Sequence, residues 1–188
     1  LGNAAFFAFG AYTTGVLCKM GVNFWLTIPI TMIVAIVVAC IIGGPTLKLR
    51  SDYLAIVTLG FGEITRMMAR NLEITGGPSG LVGIPRPSIF GFKLYTVAHF
   101  YWAFLILVIL GIIISARLHN SRFGRALECV RDDEDAAEAM GINTLKYKLL
   151  AFVVGSIFAG VGGSFFAVKM ASVSPESFTF TQSTNVLM

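Results

Sequence analysis

The side chains most able to do chemistry are scattered along this chain of 188 residues. Cys18, Cys40 and Cys129 show no CxxC spacing and have no histidine set near them, so a zinc site or disulfide framework is poorly supported. Each reads better as a small apolar filler. His99 and His119 lie far apart and form no metal or catalytic constellation. No GxxxxGK[ST] loop occurs, so nucleotide is not bound in the P-loop manner. One ionisable set does have helical order. Glu63 and Arg66 are three residues apart and Arg70 follows four further on, which puts them near one helical face. They sit in an apolar stretch, where an ionisable group must be paired or hydrated and usually faces the protein interior. Two readings follow: a polar lining of a path through the protein, or a structural ion pair near an interface. Gly60 and Gly62, just before, permit either a helix break whose backbone dipoles face a substrate or a close helix contact.

The elements that must position these residues are membrane helices. Apolar residues make up 56% of the chain and charged ones 13%, and the mean hydropathy is +0.80. Soluble domains average about 25% charged residues, and apolar stretches near the roughly 20 residues needed to span a bilayer recur here. Five segments are expected, at about 4–19, 24–42, 53–71, 96–116 and 149–170. The first is short and the third carries the charged set. A net charge of +4 suits a membrane protein with basic loops and makes no case for nucleic acid. The chain starts at Leu1 without a charged leader and stops at Met188 without a polar tail, so an internal piece of a longer protein is expected.

Lys and Arg set the orientation. Arg117, Arg122, Arg125, Arg131, Lys146 and Lys148 crowd the stretch 117–148, and Lys48 and Arg50 occupy the short loop after the second segment. The stretch 73–95 holds only Arg86 and Lys93. The first two loops are therefore placed in the cytoplasm and the third outside. The outer loop is rich in turn formers, including Gly76, Gly77, Pro78, Gly80, Gly83, Pro85, Pro87 and Gly91. It is expected to be a platform for a partner, a re-entrant plug or a turn-rich connector. In the fifth segment Gly155, Ala159 and Gly163, beside Ser156, Gly160 and Ser164, predict close helix packing. Trp102 suits an interfacial anchor.

The stretch 117–148 predicts two short helices. Phe123, Ala126, Leu127 and Val130 form one apolar stripe, with Ser121 as cap and Arg122, Arg125 and Arg131 mainly off the stripe. A second helix begins among Asp132, Asp133, Glu134 and Asp135, whose carboxylates suit free N–H groups and the positive end of a helix dipole. Ala136, Ala137, Ala139 and Met140 follow, and Gly141 supplies a stop. Such a small-residue face can lie in a groove on another protein.

Asp135-Ala136-Ala137, with Gly141 following, resembles the EAA motif of ABC importer permeases, with aspartate in place of glutamate. The downstream Ile-x-Leu-Pro usual in that family is absent, since Ala151-Phe152-Val153-Val154 falls there. Other stretches resemble the branched-chain amino acid permeases: Ala4-Ala5-Phe6-Phe7 with Gly10-Ala11-Tyr12, Leu47-Lys48-Leu49-Arg50, and Thr75-Gly76-Gly77-Pro78-Ser79-Gly80-Leu81. Tyr53-Leu54-Ala55-Ile56-Val57-Thr58-Leu59-Gly60-Phe61-Gly62-Glu63-Ile64 is a close match, and Ala136-Ala137-Glu138-Ala139-Met140-Gly141-Ile142-Asn143 completes the set. The resemblance covers nearly the whole chain in motif order.

The resemblance implies an all-α fold: a polytopic transmembrane helical bundle with a cytoplasmic helical coupling loop at 117–148, forming one partial permease domain over 1–188. It implies a multi-pass protein of the bacterial plasma (inner) membrane. The expected partners are a second homologous permease, two cytoplasmic ATP-binding subunits and a periplasmic or lipid-anchored substrate-binding protein. Asp135, Ala136, Ala137, Glu138 and Gly141 would dock into the ATPase. Glu63, Arg66, Gly60, Gly62, Gly76 and Gly77 would line the substrate path, where the charges meet the zwitterionic head of an amino acid. No cofactor and no enzymatic activity of the chain's own are implied. Urea or short amides are competing substrates, because related permeases serve them. An ion-coupled secondary transporter would show inverted repeats, and a membrane enzyme clustered catalytic residues. Neither pattern is found in the sequence.

Overall fold

The computed structural model describes residues 3–47, 51–85, 88–89, 92–93 and 97–175. Lys48, Arg50, Arg86, Pro87, Gly91 and Thr96, named above for loop charge, turns and the start of a segment, lie outside the described residues. So do Leu1 and the final residues 185–188.

Helices make up the bulk of the described chain, and all five expected segments are among them. Helix α1 (Asn3–Lys19) is the centre of the bundle, with Ala5, Ala8, Gly10, Ala11 and Gly15 buried. Helices α2 (Phe24–Thr46) and α7 (Thr144–Met170) pack on it. Small side chains let these backbones meet. A Cβ on Gly10 would stand 2.0 Å from the Gly160 carbonyl oxygen, and one on Gly163 would stand 2.0 Å from that of Phe7. Of the small-residue stripe expected on α7, Ser156, Gly160, Gly163 and Ser164 are buried. Gly155 is exposed and would meet nothing within 4 Å. Buried hydroxyls turn to nearby backbone carbonyls: Thr31 donates to Thr27 at 2.7 Å and Ser164 to Gly160 at 3.1 Å. Thr14 and Thr31 bridge α1 and α2 at 3.2 Å.

Helix α2 runs beyond its expected end at 42. Pro45 lacks a donor, yet the Leu47 N–H reaches the Gly43 carbonyl at 2.9 Å and the last turn survives. Helix α7 starts at Thr144 rather than 149, because the Asn143 side chain accepts the Lys146 N–H at 3.1 Å and opens the helix earlier. Helix α3 (Ser51–Asn71) leans on α1, where Phe61 stacks on Phe9 at 6.2 Å and Thr65 and Ala69 are buried. Helix α4 (Val97–His119) packs more loosely, through partly buried Ala103, Phe104 and Leu107, with the Phe104 ring 5.4 Å from that of Phe165. An apolar groove of about 650 Å³ separates it from α2 and α7. Helices α2, α7 and residues 101–119 of α4 are each long and apolar enough to cross a membrane. At 17 residues, α1 is shorter than that, and α3 carries the charged set.

No strand is expected from the residue pattern, but short ones tie the loop that follows α3. After single 3-10 turns at Glu73–Thr75 and Gly77–Ser79, β1 (Leu81–Val82) pairs antiparallel with β4 (Ser172–Val173), which follows α7. The N–H groups of Gly83 and Ile84 both reach the Ala171 carbonyl at 3.1 Å. Two further two-residue strands, β2 (Ser88–Ile89) and β3 (Phe92–Lys93), pair with each other. These segments are too short to alter the all-α class.

Candidate functional site

The stretch between α4 and α7 folds into an elbow of two helices, α5 (Arg122–Asp132) and α6 (Glu134–Ala139). Ser121 caps α5 by accepting the Gly124 N–H at 3.3 Å. The apolar stripe turns inward, with Val130 6% exposed, while Arg122, Arg125 and Arg131 stay exposed. Asp133 breaks the two helices with an extended backbone and caps the second, its Oδ1 accepting from Asp135 and Ala136 at 3.0 Å each. Gly141, at φ +82°, ends α6. Its N–H bonds the Glu138 carbonyl and that of Ile142 bonds the Ala137 carbonyl, the paired closure for which glycine is favoured. Ala137 is buried, whereas Asp135, Ala136, Glu138 and Gly141 are exposed, and Met140 is 83% exposed at the tip.

The elbow is pinned to both helices it joins. At the α4 end a Cβ on Gly124 would stand 2.0 Å from the His119 carbonyl oxygen, and His119 Nε2 lies 3.7 Å from Glu128. At the α7 end Lys148 pairs with Glu134 at 2.5 Å, and the rings of Phe123 and Tyr147 lie 5.9 Å apart. Such a partly exposed ion pair is worth about 0–1 kcal/mol, so it fixes position more than it adds stability. Sequence reasoning missed Lys148, because no helical or strand spacing links it to Glu134.

The second candidate set lies on α3. Glu63 and Arg66 form an ion pair, and Arg70 is exposed one turn further on. The helix runs unbroken through Gly60 and Gly62, and a Cβ on either would meet nothing within 4 Å. Neither the expected break nor a close contact occurs at these glycines among the described residues. A cavity of about 360 Å³ lies between α1 and α3, lined on the α3 side by Thr65, Met68, Ala69 and Leu72. At 3.6 residues per turn, Glu63, Arg66 and Arg70 fall on roughly the opposite face of α3. The charged set and this cavity are therefore separate features.

Gly76 and Gly77 have positive φ of 80° and 58° and fold the loop onto the end of α3. Thr75 Oγ1 donates to the Ala69 carbonyl at 2.6 Å there. A Cβ on Gly80 would stand 2.2 Å from the Val173 carbonyl oxygen, so this loop is clasped to the end of α7. The glycine-rich composition signalled the turns, but not the strand they close against. Among the described residues no set of His, Cys, Asp and Glu is arranged to hold a metal ion.

The family described as "Branched-chain amino acid transport system / permease component" matches residues 1–188. The chain is 40% identical over 212 aligned positions to the high-affinity branched-chain amino acid transport system permease protein LivM of Escherichia coli, covering 100% of this chain and 50% of that protein. The LivM protein of Salmonella typhimurium gives the same identity and coverage. A probable branched-chain amino acid transport permease protein LivM of Methanocaldococcus jannaschii is 30% identical over 157 positions, covering 82% of this chain and 45% of that protein. The chain thus spans about half the length of the curated relatives it matches. No solved structure matches it.

Proposed function

The chain belongs to the branched-chain amino acid transport permease family, and we propose that it forms part of the membrane-spanning permease subunit of an ATP-driven importer for branched-chain amino acids. The observation that carries this reading is the family match over all 188 residues. Its relatives are named as branched-chain amino acid permeases, and its apolar helices suit a multi-pass membrane protein.

In this reading 117–148 faces the cytoplasm of a bacterium and the protein resides in its plasma membrane. The chain carries no P-loop, so the energy comes from a partner or from an ion gradient, and the docking helix favours the partner. Two ATP-binding subunits supply it, a second homologous permease completes the path, and a periplasmic or lipid-anchored binding protein delivers the substrate. Asp135, Ala136, Ala137, Glu138 and Gly141 make the docking surface. The reading is supported by their setting: a short helix capped at both ends, with Ala137 turned inward and its acidic neighbours exposed. A surface held this rigidly loses little conformational freedom on docking. The charged face of α3 borders the substrate path, opposite the side packed on α1. Glu63 and Arg66 neutralise one another there and meet the zwitterionic head of the substrate. Gly60 and Gly62 leave that helix open to a neighbour, and Gly76 and Gly77 shape its outer mouth.

The test uses the full-length parent assembled with its partner subunits. Gly141→Asp, and separately replacement of Asp135-Ala136-Ala137, should reduce both co-purification of the ATP-binding subunits and uptake. Unchanged assembly and uptake in both variants would remove the docking role.

A further inference from the structure

Helix α6 is six residues long, too short to hold a position by itself. Whatever presses on it must pass the load to a longer element through specific contacts. Two elements adjoin the elbow. Helix α4 is tied to it at His119 and Gly124, but meets the core through partly buried residues such as Ala103, Phe104 and Leu107 rather than through fully buried ones. Helix α7 is different. It crosses α1 with backbone against backbone at Gly10–Gly160 and at Phe7–Gly163, and it also packs on α2 at Ala35. The inner ends of α1 and α2 do not offer a shortcut. Asn3 and Leu47 face Val130 and Glu134 across a cavity of about 530 Å³.

We propose that the Glu134–Lys148 ion pair fastens the α5–α6 elbow to α7, so that elbow and helix move as one body and carry ATPase closure to the α1–α2–α7 core. Lys148 is a positioning residue for coupling, acting through Glu134. It sits one turn into α7 with its side chain 26% exposed, directed at a Glu134 carboxylate 2.5 Å away. The neighbouring position, Tyr147, holds the Phe123 ring of α5 at 5.9 Å. Val130, Ala137 and Thr144, one from each of α5, α6 and α7, are buried at this junction. The inference rests on the docking role proposed above for 135–141, and it adds the route by which that docking reaches the membrane helices.

The test measures ATP hydrolysis and amino acid uptake together, in vesicles carrying the full-length parent and its partner subunits. Lys148→Glu and Glu134→Lys should each lower the uptake per ATP hydrolysed by about fivefold, with the ATP-binding subunits still bound. The double exchange should restore the ratio to within about twofold of the parent, as expected when two residues act only through each other. If charge reversal prevents assembly, Lys148→Met removes the charge while keeping the length of the side chain, and should show the same fall. An unchanged ratio in the single variants, or a double exchange no better than the singles, would overturn the proposal. Replacement of Asp135-Ala136-Ala137 separates the two ideas. If it abolishes uptake while the Lys148 variants keep the parent ratio, the fastening role fails alone. If it has no effect, the docking reading fails.

Discussion

Two glycines of one α7 stripe should respond to alanine in opposite ways. A Cβ on Gly163 would stand 2.0 Å from the Phe7 carbonyl oxygen, where ordinary contact begins at 3.4 Å. The shortfall is about 1.4 Å and both sides of the contact are backbone, so no rotamer change relieves it and α1 must move away from α7. Overpacking of this kind costs about 1–3 kcal/mol, and the upper part of that range applies where neither side can yield. Gly155, two turns earlier, would meet nothing within 4 Å and has an ordinary helical backbone. Alanine there is expected to be neutral or stabilising by up to about 1 kcal/mol through helix propensity. The assay is thermal or denaturant unfolding of the full-length parent in detergent, with both variants measured beside it. A Gly163→Ala protein as stable as the parent, or a Gly155→Ala protein that loses as much as Gly163→Ala, would refute the packing described for α1 and α7.

Gly80→Ala places a Cβ 2.2 Å from the Val173 carbonyl at a φ of +70°. It should free the β1–β4 clasp at a cost of about 2 kcal/mol, read as faster protease cleavage around 73–84. Asp133→Ala removes the acceptor for two N–H groups, worth about 1 kcal/mol. Amide exchange at Asp135 and Ala136 should quicken several-fold, while Asp133→Asn should stay close to the parent. Glu63→Gln removes the carboxylate paired with Arg66 and should reduce uptake. Normal uptake with an unchanged substrate range would remove Glu63 from the substrate path.

The helices were legible because their physics is local. Runs of apolar residues, Ser121, the Asp132–Asp135 cluster and Gly141 announce spans, caps and stops without reference to the rest of the chain, and α5 and α6 form where those signals place them. What escaped is contact between distant residues. Glu134 and Lys148 are joined only by the turn that folds α7 back under α6. The pairing of Leu81 with Val173 closes a long excursion through α4, α5 and α6, and such two-residue strands leave no alternating pattern to read. The small-residue stripe of α7 was legible as a motif. Which of its members touch α1 depends on how α7 is rotated in the bundle, and that rotation buries Gly163 while exposing Gly155. The charged face of α3 was legible by spacing, and its position opposite the α1 cavity required the packing of Thr65 and Ala69.

The proposed ATP-driven import of branched-chain amino acids can be measured as uptake of labelled leucine and labelled urea into vesicles holding the full-length parent with its neighbouring permease, ATP-binding subunits and binding protein. Leucine uptake that needs ATP, persists when ion gradients are dissipated and is lost on replacing Asp135-Ala136-Ala137 is the predicted result. Uptake of urea in place of leucine would contradict the substrate, and uptake driven by an ion gradient without ATP would contradict the importer itself.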